Sequence, residues 1–229
     1  MVAIVTGTGT GVENSSGWVL GSRGQLGNAT FGRYGESVYV NAANGNLSID
    51  RTDEILIGEG PDSVISRNYN SLGNSTDDNG DNWRLSSQRL VTGLTGTVNT
   101  TGSTVTGVNW NGSSTVYTWD ASRSAYVSAS GSGAYDTLTY ASNAWTWTDG
   151  NSRAIETYDA TNGGRITYSA DTDGNALTYT YTGSLLTRVT TQDGEHTDLT
   201  WSGNNLTQIV TTLSAGATVT SDKNTILSR

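Results

Sequence analysis

Apolar and polar residues alternate with a period of two along much of this chain. From Ala176 to Thr182, Leu177, Tyr179 and Tyr181 fall on one face, and Thr178, Thr180 and Thr182 on the other. Extended backbone points successive side chains to opposite faces, so this alternation predicts a strand with one side against a core. Ser103–Trp110, Ser114–Trp119, Asp136–Tyr140 and Glu195–Trp201 carry the same pattern. Between them lie the turn clusters Asn111-Gly112, Asp149-Gly150, Asn162-Gly163, Asp173-Gly174 and Asp193-Gly194. Asn-Gly and Asp-Gly suit tight hairpins, because both central residues of a type I′ turn need positive φ. No stretch sustains a helical period. The pattern predicts an all-β chain of antiparallel hairpins at short spacing.

A tripeptide recurs on top of this alternation: any residue, then Thr, then an aromatic. It reads Tyr117-Thr118-Trp119, Leu138-Thr139-Tyr140, Glu156-Thr157-Tyr158, Tyr179-Thr180-Tyr181 and Leu199-Thr200-Trp201, with steps of 21, 18, 23 and 20 residues between the aromatics. A recurrence of this length is the mark of a stacked repeat architecture. We therefore expect hairpin repeats of about twenty residues forming a twisted or spiralling continuous sheet, a partial β-shell. The unit-defining rings Trp119, Tyr140, Tyr158, Tyr181 and Trp201 are expected to fill the core beneath the next strand. Trp145 and Trp147, two apart, should share a face; they read as core, with sugar-stacking rings as the alternative. The last two complete units align at a step of 20: Gly183 with Gly203, Leu186 with Leu206, Thr187 with Thr207, Val189 with Ile209. One step further, Ser221 stands where the aromatic should be, so a cap or a continuation is expected there.

Composition narrows the class. Hydrophobic residues make up 34% of the 229, but 7 Trp and 11 Tyr argue for a folded chain with a thin, aromatic-rich core. Only Pro61 interrupts the strand-forming sequence. The net charge of −9 lacks the basic footprint of a nucleic-acid binder and does not suit anionic membrane surfaces. With no Cys there is no disulfide, thiolate metal site or Cys nucleophile. No apolar run reaches the ~20 residues of a membrane-spanning helix. Met1–Gly11 lacks both a basic n-region and a long apolar h-region, so it does not read as a Sec signal peptide.

The chemistry-bearing motifs are weak. Val2–Gly11 resembles the opening of a dinucleotide-binding fingerprint, but Val12 stands at the third glycine position and no helix pattern follows. Asp77, Asp78 and Asp81, and likewise Asp171 and Asp173, are weak Ca²⁺ candidates. Each run lacks the Glu that closes an EF-hand loop, and the better reading is turn conformation. His196, the single His, lies in a repeat strand and reads as an exposed strand residue. Asp50, Asp53, Glu54 and Glu59 are close in sequence, yet nothing in the sequence makes two carboxylates converge as glycoside hydrolysis requires. Lys223, the single Lys, reads as part of a solvated tail. These residues predict no catalytic site, and no cofactor beyond a weak Ca²⁺ option.

The repeat units resemble the YD-repeat, or RHS-repeat, proteins. Tyr158-Asp159 is followed by Gly164-Arg165-Ile166, then Asp171-Thr172-Asp173-Gly174-Asn175, then Leu177–Tyr181, which matches one such unit in order. Upstream, Gly45-Asn46-Leu47, Arg67-Asn68-Tyr69-Asn70-Ser71 and Gly80-Asp81-Asn82-Trp83 resemble the segment that precedes the repeats in large bacterial members, with Asn82 in place of a Gly. The resemblance covers roughly residues 36 to 212. It implies a sheet that winds into a shell, secreted or displayed at the cell surface, often carrying a C-terminal toxin. The autoproteolytic Asp-Pro motif of complete members is not in this chain, where Gly60 precedes Pro61.

Together these readings divide the chain into a Gly-rich segment (residues 1–35), an RHS-type entry region (36–95) and YD-like hairpin repeats (96–229), forming one continuous domain. The expected function is a non-enzymatic extracellular scaffold. A self-assembling filament subunit and a glycan-binding adhesin module are the alternatives. The expected partners are further repeats, or other copies, joined through edge strands, with glycans as a further option and with neither nucleic acid nor membrane insertion.

Overall fold

The structure is a computed structural model that describes residues 2–13, 15–16, 36–58, 60–73, 80–128, 135–213 and 218–222. The described residues form two sheets, almost wholly antiparallel. In the first, β1 (Ala3–Val5), β2 (Ser37–Asn41), β3 (Leu47–Leu56), β4 (Ser63–Asn70) and β5 (Trp83–Leu85) lie side by side in that order. Only β1 and β2 run parallel, so the start of the chain docks as an edge strand.

The second sheet closes partly on itself. The strands β6 (Leu90–Thr95), β7 (Thr104–Val108), β8 (Ser114–Asp120), β9 (Ala125–Val127), β10 (Thr137–Ala141), β11 (Ala144–Thr148), β12 (Ile155–Asp159) and β13 (Arg165–Ala170) pair each with the next. β13 also pairs back to β6, and this makes a closed eight-stranded barrel. The closing contact is narrow: Arg165 pairs with Leu90, and the amide of Val91 donates to the carbonyl of Gly164 at 2.9 Å. Further along β13, Tyr168–Ala170 pair instead with Ala176–Thr178 of β14 (Ala176–Thr182). From there β15 (Leu185–Thr191), β16 (His196–Ser202), β17 (Asn205–Thr212) and β18 (Thr218–Asp222) continue as an open antiparallel sheet. β13 thus belongs to the barrel by one end and to the open sheet by the other.

The all-β, antiparallel expectation holds, and the alternation assigned to Ala176–Thr182 points Leu177 inward and Thr178, Thr180 and Thr182 to solvent. The barrel is a departure from the expected continuous sheet. The boundary placed at residue 95 also falls between β6 and β7, which pair with each other inside the barrel.

Two cores hold these layers. One fills the barrel: Val91, Val105, Tyr117, Tyr126, Leu138, Trp145, Tyr158 and Ile166. The other joins Ile65 and Leu85 of the five-stranded sheet to Leu177, Leu186, Val189, Leu199, Leu206 and Ile209 of the open sheet. At the turns between β8 and β9 and between β10 and β11, four rings stack in series. Trp119 meets Tyr126 at 5.2 Å, Tyr126 meets Trp145 at 5.2 Å, and Trp145 meets Tyr140 at 4.8 Å, all tilted or edge-on as aromatic quadrupoles prefer.

Turn chemistry differs in detail from the tight Asp-Gly hairpins expected. Two-residue loops fall at Ser142-Asn143, Gly183-Ser184 and Gly203-Asn204. The clusters ending in Gly112, Gly174 and Gly194 instead make three-residue loops, closed by an amide-to-carbonyl bond such as Thr191 to Glu195 at 2.8 Å. Their glycines take φ of 85°, 89° and 86°, the left-handed residue that ends this loop class.

Candidate functional site

The N-terminal segment folds over the end of the barrel opposite the ring stack, at the β7–β8 turn. The amide of Gly11 donates to Asn70 Oδ1 at 2.9 Å, the amide of Glu13 to Ser113 Oγ at 3.1 Å, and Thr10 Oγ1 to the carbonyl of Gly112 at 2.8 Å. A Cβ on Gly11 would stand 2.4 Å from Ser113 Oγ, so only glycine lets the segment lie this close to the β7–β8 turn. Beneath the segment lies a cavity of about 130 Å³, walled by Glu13, Arg89, Asn109, Tyr117, Asp136, Trp147, Glu156 and Tyr158 among others. Gly107 contributes no side chain here; a Cβ would press to 3.2 Å from the ring of Tyr117.

Three carboxylates and one guanidinium share this cavity. Glu156 is satisfied: one oxygen pairs with Arg89, and the other accepts from the Tyr158 hydroxyl. Arg89 also donates to the Tyr179 hydroxyl at 3.3 Å. Burial is the largest single influence and works against the Arg89 charge, but Glu156 together with Tyr179, Tyr158 and Tyr181 outweighs it and holds the guanidinium above its ordinary value. Glu13 and Asp136 have no cation paired with them among the described residues. Glu13 accepts from Asn109 Nδ2, and Asp136 from the amide of Gly150 at 2.9 Å. Burial raises both carboxyls above their usual range, more than those hydrogen bonds lower them. Burial likewise pushes Tyr117 up to about 12, opposed by the indole N–H of Trp147, which donates to its hydroxyl at 3.2 Å.

A polar column leads away from the cavity into the first sheet. Asn70 Nδ2 donates to the carbonyl of Asn111 at 2.8 Å, and Asn46 Nδ2 to Asn70 Oδ1 at 2.7 Å. Asn68 joins Asn70, Asp50 and Ser48. Burial raises the Asp50 carboxyl to about 6 against the bond from Asn68. Asn46, Asn68 and Asn70 are each at most 1% exposed, so this column is an internal, hydrogen-bonded polar core.

The residues singled out in the sequence sit elsewhere. Trp119, Tyr140, Tyr158, Tyr181 and Trp201 are each the penultimate residue of their strand. Tyr158 is buried; the other four are half-buried and packed against one of the two cores. Their cross-strand partners Tyr126, Trp145, Ile166, Leu186 and Leu206 are all buried. Trp145 is buried and Trp147 half-buried on the barrel's inner side. Asp171 accepts from the amides of Asp173 and Asn175 at 2.9 and 3.0 Å, a turn cap, while Asp81 accepts from the amide of Trp83 at 3.0 Å. Asp77, Asp78, Glu59 and Lys223 lie outside the described residues. Among the described residues no three His, Cys, Asp or Glu side chains are placed to hold a metal ion. His196 Nε2 lies 3.6 Å from Asp198. Asp50, Asp53 and Glu54 do not converge: Asp53 binds Arg67 at 2.7 Å, and Glu54 accepts from Thr211 at 3.4 Å. The residues 2–11 form β1 and then the loop that covers the barrel, not a strand opening into a helix.

Sequence reasoning missed Glu13, Arg89, Tyr117, Asp136 and Glu156 as a group. They come from five separate segments, and only barrel closure brings them together. One signal was present: Glu156 stands at an inward position of a strand whose next inward residue is Tyr158.

Among the described residues no helix is long and apolar enough to cross a membrane. No protein-family model matches the chain, and no curated protein matches it.

Proposed function

We propose that this chain is a non-enzymatic structural scaffold: a wall segment of a secreted or surface-displayed β-shell of the YD/RHS type, built from hairpin repeats of about twenty residues in a spiralling sheet. The observation that carries this reading is the double pairing of β13. It lets a closed barrel run without interruption into an open sheet, whose outermost described strand, β18, pairs only with β17. A sheet anchored at one end, whose last strand has no second partner among the described residues, is suited to extension by further hairpins, since an edge strand offers unpaired N–H and C=O groups. The barrel cavity does not argue for catalysis, because its best-placed carboxylate, Glu156, is consumed by Arg89 and Tyr158.

The same open edge supports a second reading, a subunit that adds head-to-tail into filaments, because heterologous contacts that do not close make open assemblies. A glycan-binding role through Trp145 and Trp147 has less support, since both rings face the barrel core. Light scattering and negative-stain microscopy across a wide concentration range separate the two structural readings. Discrete monomers at all concentrations support the wall segment. Particles lengthening in one dimension support the filament. Compact, closed dimers would defeat both, because the open edge would then be an ordinary oligomer interface.

A further inference from the structure

We propose that Asn162, in the turn between β12 and β13, is a site of self-modification: its side-chain amide is lost to attack by the amide nitrogen of Gly163, assisted by the Arg165 guanidinium. The site is independent of the scaffold reading and needs neither a partner nor a cofactor.

The Gly163 amide gives its proton to solvent, and its nitrogen forms a bond to Cγ of Asn162. The Cγ–Nδ2 bond breaks, and Nδ2 leaves as ammonia with a proton taken back from solvent. The product is a five-membered cyclic imide. Water opens the ring at Cγ, leaving an aspartyl residue, or at the main-chain carbonyl carbon, leaving an isoaspartyl residue. One water is consumed and one ammonia released, with no oxidant or reductant.

Asn-Gly stands at 44–45, 79–80, 111–112 and 162–163. Asn79 lies outside the described residues. In two of the other three pairs the attacking nitrogen is engaged: the amide of Gly45 donates to the carbonyl of Asn41 at 2.7 Å, and that of Gly112 to the carbonyl of Asn109 at 2.9 Å. Their side chains are held as well. Asn44 donates to the carbonyl of Gly9 at 2.7 Å and accepts from the amide of Asn46 at 2.9 Å. Asn111 is 2% exposed and accepts from the amide of Ser113 at 2.9 Å. At the third pair the Gly163 amide has no acceptor among the described residues, and Asn162 is exposed to the water that completes the reaction.

Arg165 sets this pair further apart. Its Nη1 donates to the main-chain carbonyl oxygen of Asn162 at 2.9 Å and to Oδ1 at 3.3 Å. These are the two oxygens on which negative charge collects. Peptide resonance moves the charge of a deprotonated Gly163 nitrogen onto the Asn162 carbonyl oxygen, and attack at Cγ moves it onto Oδ1. A cation placed against both favours each charged stage. Glycine at 163 admits that cation: at φ +68°, a Cβ there would meet Arg165 Nη1 at 2.5 Å. The place has a consequence for the fold. The carbonyl of Gly164 accepts from the amide of Val91 at the barrel seam, and an isoaspartyl link adds a methylene to the backbone just before it.

The test is incubation of the whole chain in warm, mildly alkaline buffer, read by peptide mapping with mass spectrometry and by enzymatic methylation of isoaspartyl residues. Conversion at Asn162 is expected to run about ten-fold faster than at Asn44 or Asn111. In urea the three rates should converge. Arg165→Gln should slow Asn162 several-fold, less than the ~10²–10³ of a buried oxyanion donor because the turn is open to water. A merely structural Arg165 predicts the opposite sign, since freeing the turn speeds attack. Arg165→Lys, which shortens the reach of the cation, should also slow the reaction, and it carries the same sign test if Arg165→Gln does not fold. Equal native rates at the three sites would overturn the proposal, as would a ranking that persists in urea, or an Arg165 variant that leaves the Asn162 rate unchanged or raises it.

Discussion

Gly164 and Gly174 show how differently one backbone requirement is enforced. Both hold positive φ, +67° and +89°, where a Cβ costs ~1–2 kcal/mol. Around Gly174 nothing lies within 4 Å, whereas a Cβ on Gly164 would fall 1.9 Å from the carbonyl oxygen of Val91, on the barrel seam. We expect Gly174→Ala to cost about 1 kcal/mol and Gly164→Ala at least twice that. Denaturant unfolding of the two variants measures the gap, and equal losses would refute the seam argument. Asp50 supplies a second test. Its folded carboxyl titrates near 6, above its unfolded value, so the folded state binds the extra proton and stability falls as pH rises toward 6. Asp50→Asn should therefore stabilise the protein above pH 6, on the order of 2 kcal/mol, with the gain fading as pH falls toward the unfolded carboxyl value. Melting curves of both proteins across that window read it directly; a gain that grows on acidification has the wrong sign.

At the scale of elements, the recurring Thr-aromatic tripeptide acquires a cause. In three hairpins the register slips by one residue just before the aromatic: at Thr157/Tyr158, Thr180/Tyr181 and Thr200/Trp201. The residue left over in the following strand is Thr167, Thr187 or Thr207. Each turns its hydroxyl onto the carbonyl of the Thr before the aromatic, at 3.3, 3.2 and 3.0 Å. A bulge disrupts the ladder and leaves a residue unpaired; here a hydroxyl occupies a carbonyl at the slip. Thr167→Val, nearly the same shape, should cost about 1 kcal/mol, and Thr187→Val, whose hydrogen bond is the more exposed of the two, less, as chemical denaturation would show. The second core makes a separate forecast. Leu206→Ala removes a side chain 4% exposed between the two sheets. It should cost ~2–5 kcal/mol. Hydrogen exchange should then speed up across β14–β17 and leave the barrel amides of β7–β12 protected. Uniform loss of protection would mean that barrel and open sheet unfold as one unit.

For the whole molecule, the alternation and the antiparallel strands it implies were legible because they are local. Strand faces follow from extended backbone, and positive-φ loops from Gly, Asn and Asp. The aromatics Trp119, Tyr140, Tyr158, Tyr181 and Trp201 each sit one residue from a strand end. The candidate site was not legible. Glu13 and Glu156 are far apart in sequence, and Asp136 adjoins a stretch with no pattern of its own. Strand periodicity says which face a residue takes, but not which distant strand will lie beside it. What the amino-acid sequence alone determined was therefore an antiparallel all-β chain. The tertiary structure alone decided that eight strands close into a barrel, that β13 continues past the seam into an open sheet, and that an N-terminal segment lays Glu13 across the barrel mouth. The physical reason lies in two close approaches, Gly164 to Val91 and Gly11 to Ser113. Each depends on a missing side chain meeting a partner more than seventy residues away, a pairing that no local pattern encodes.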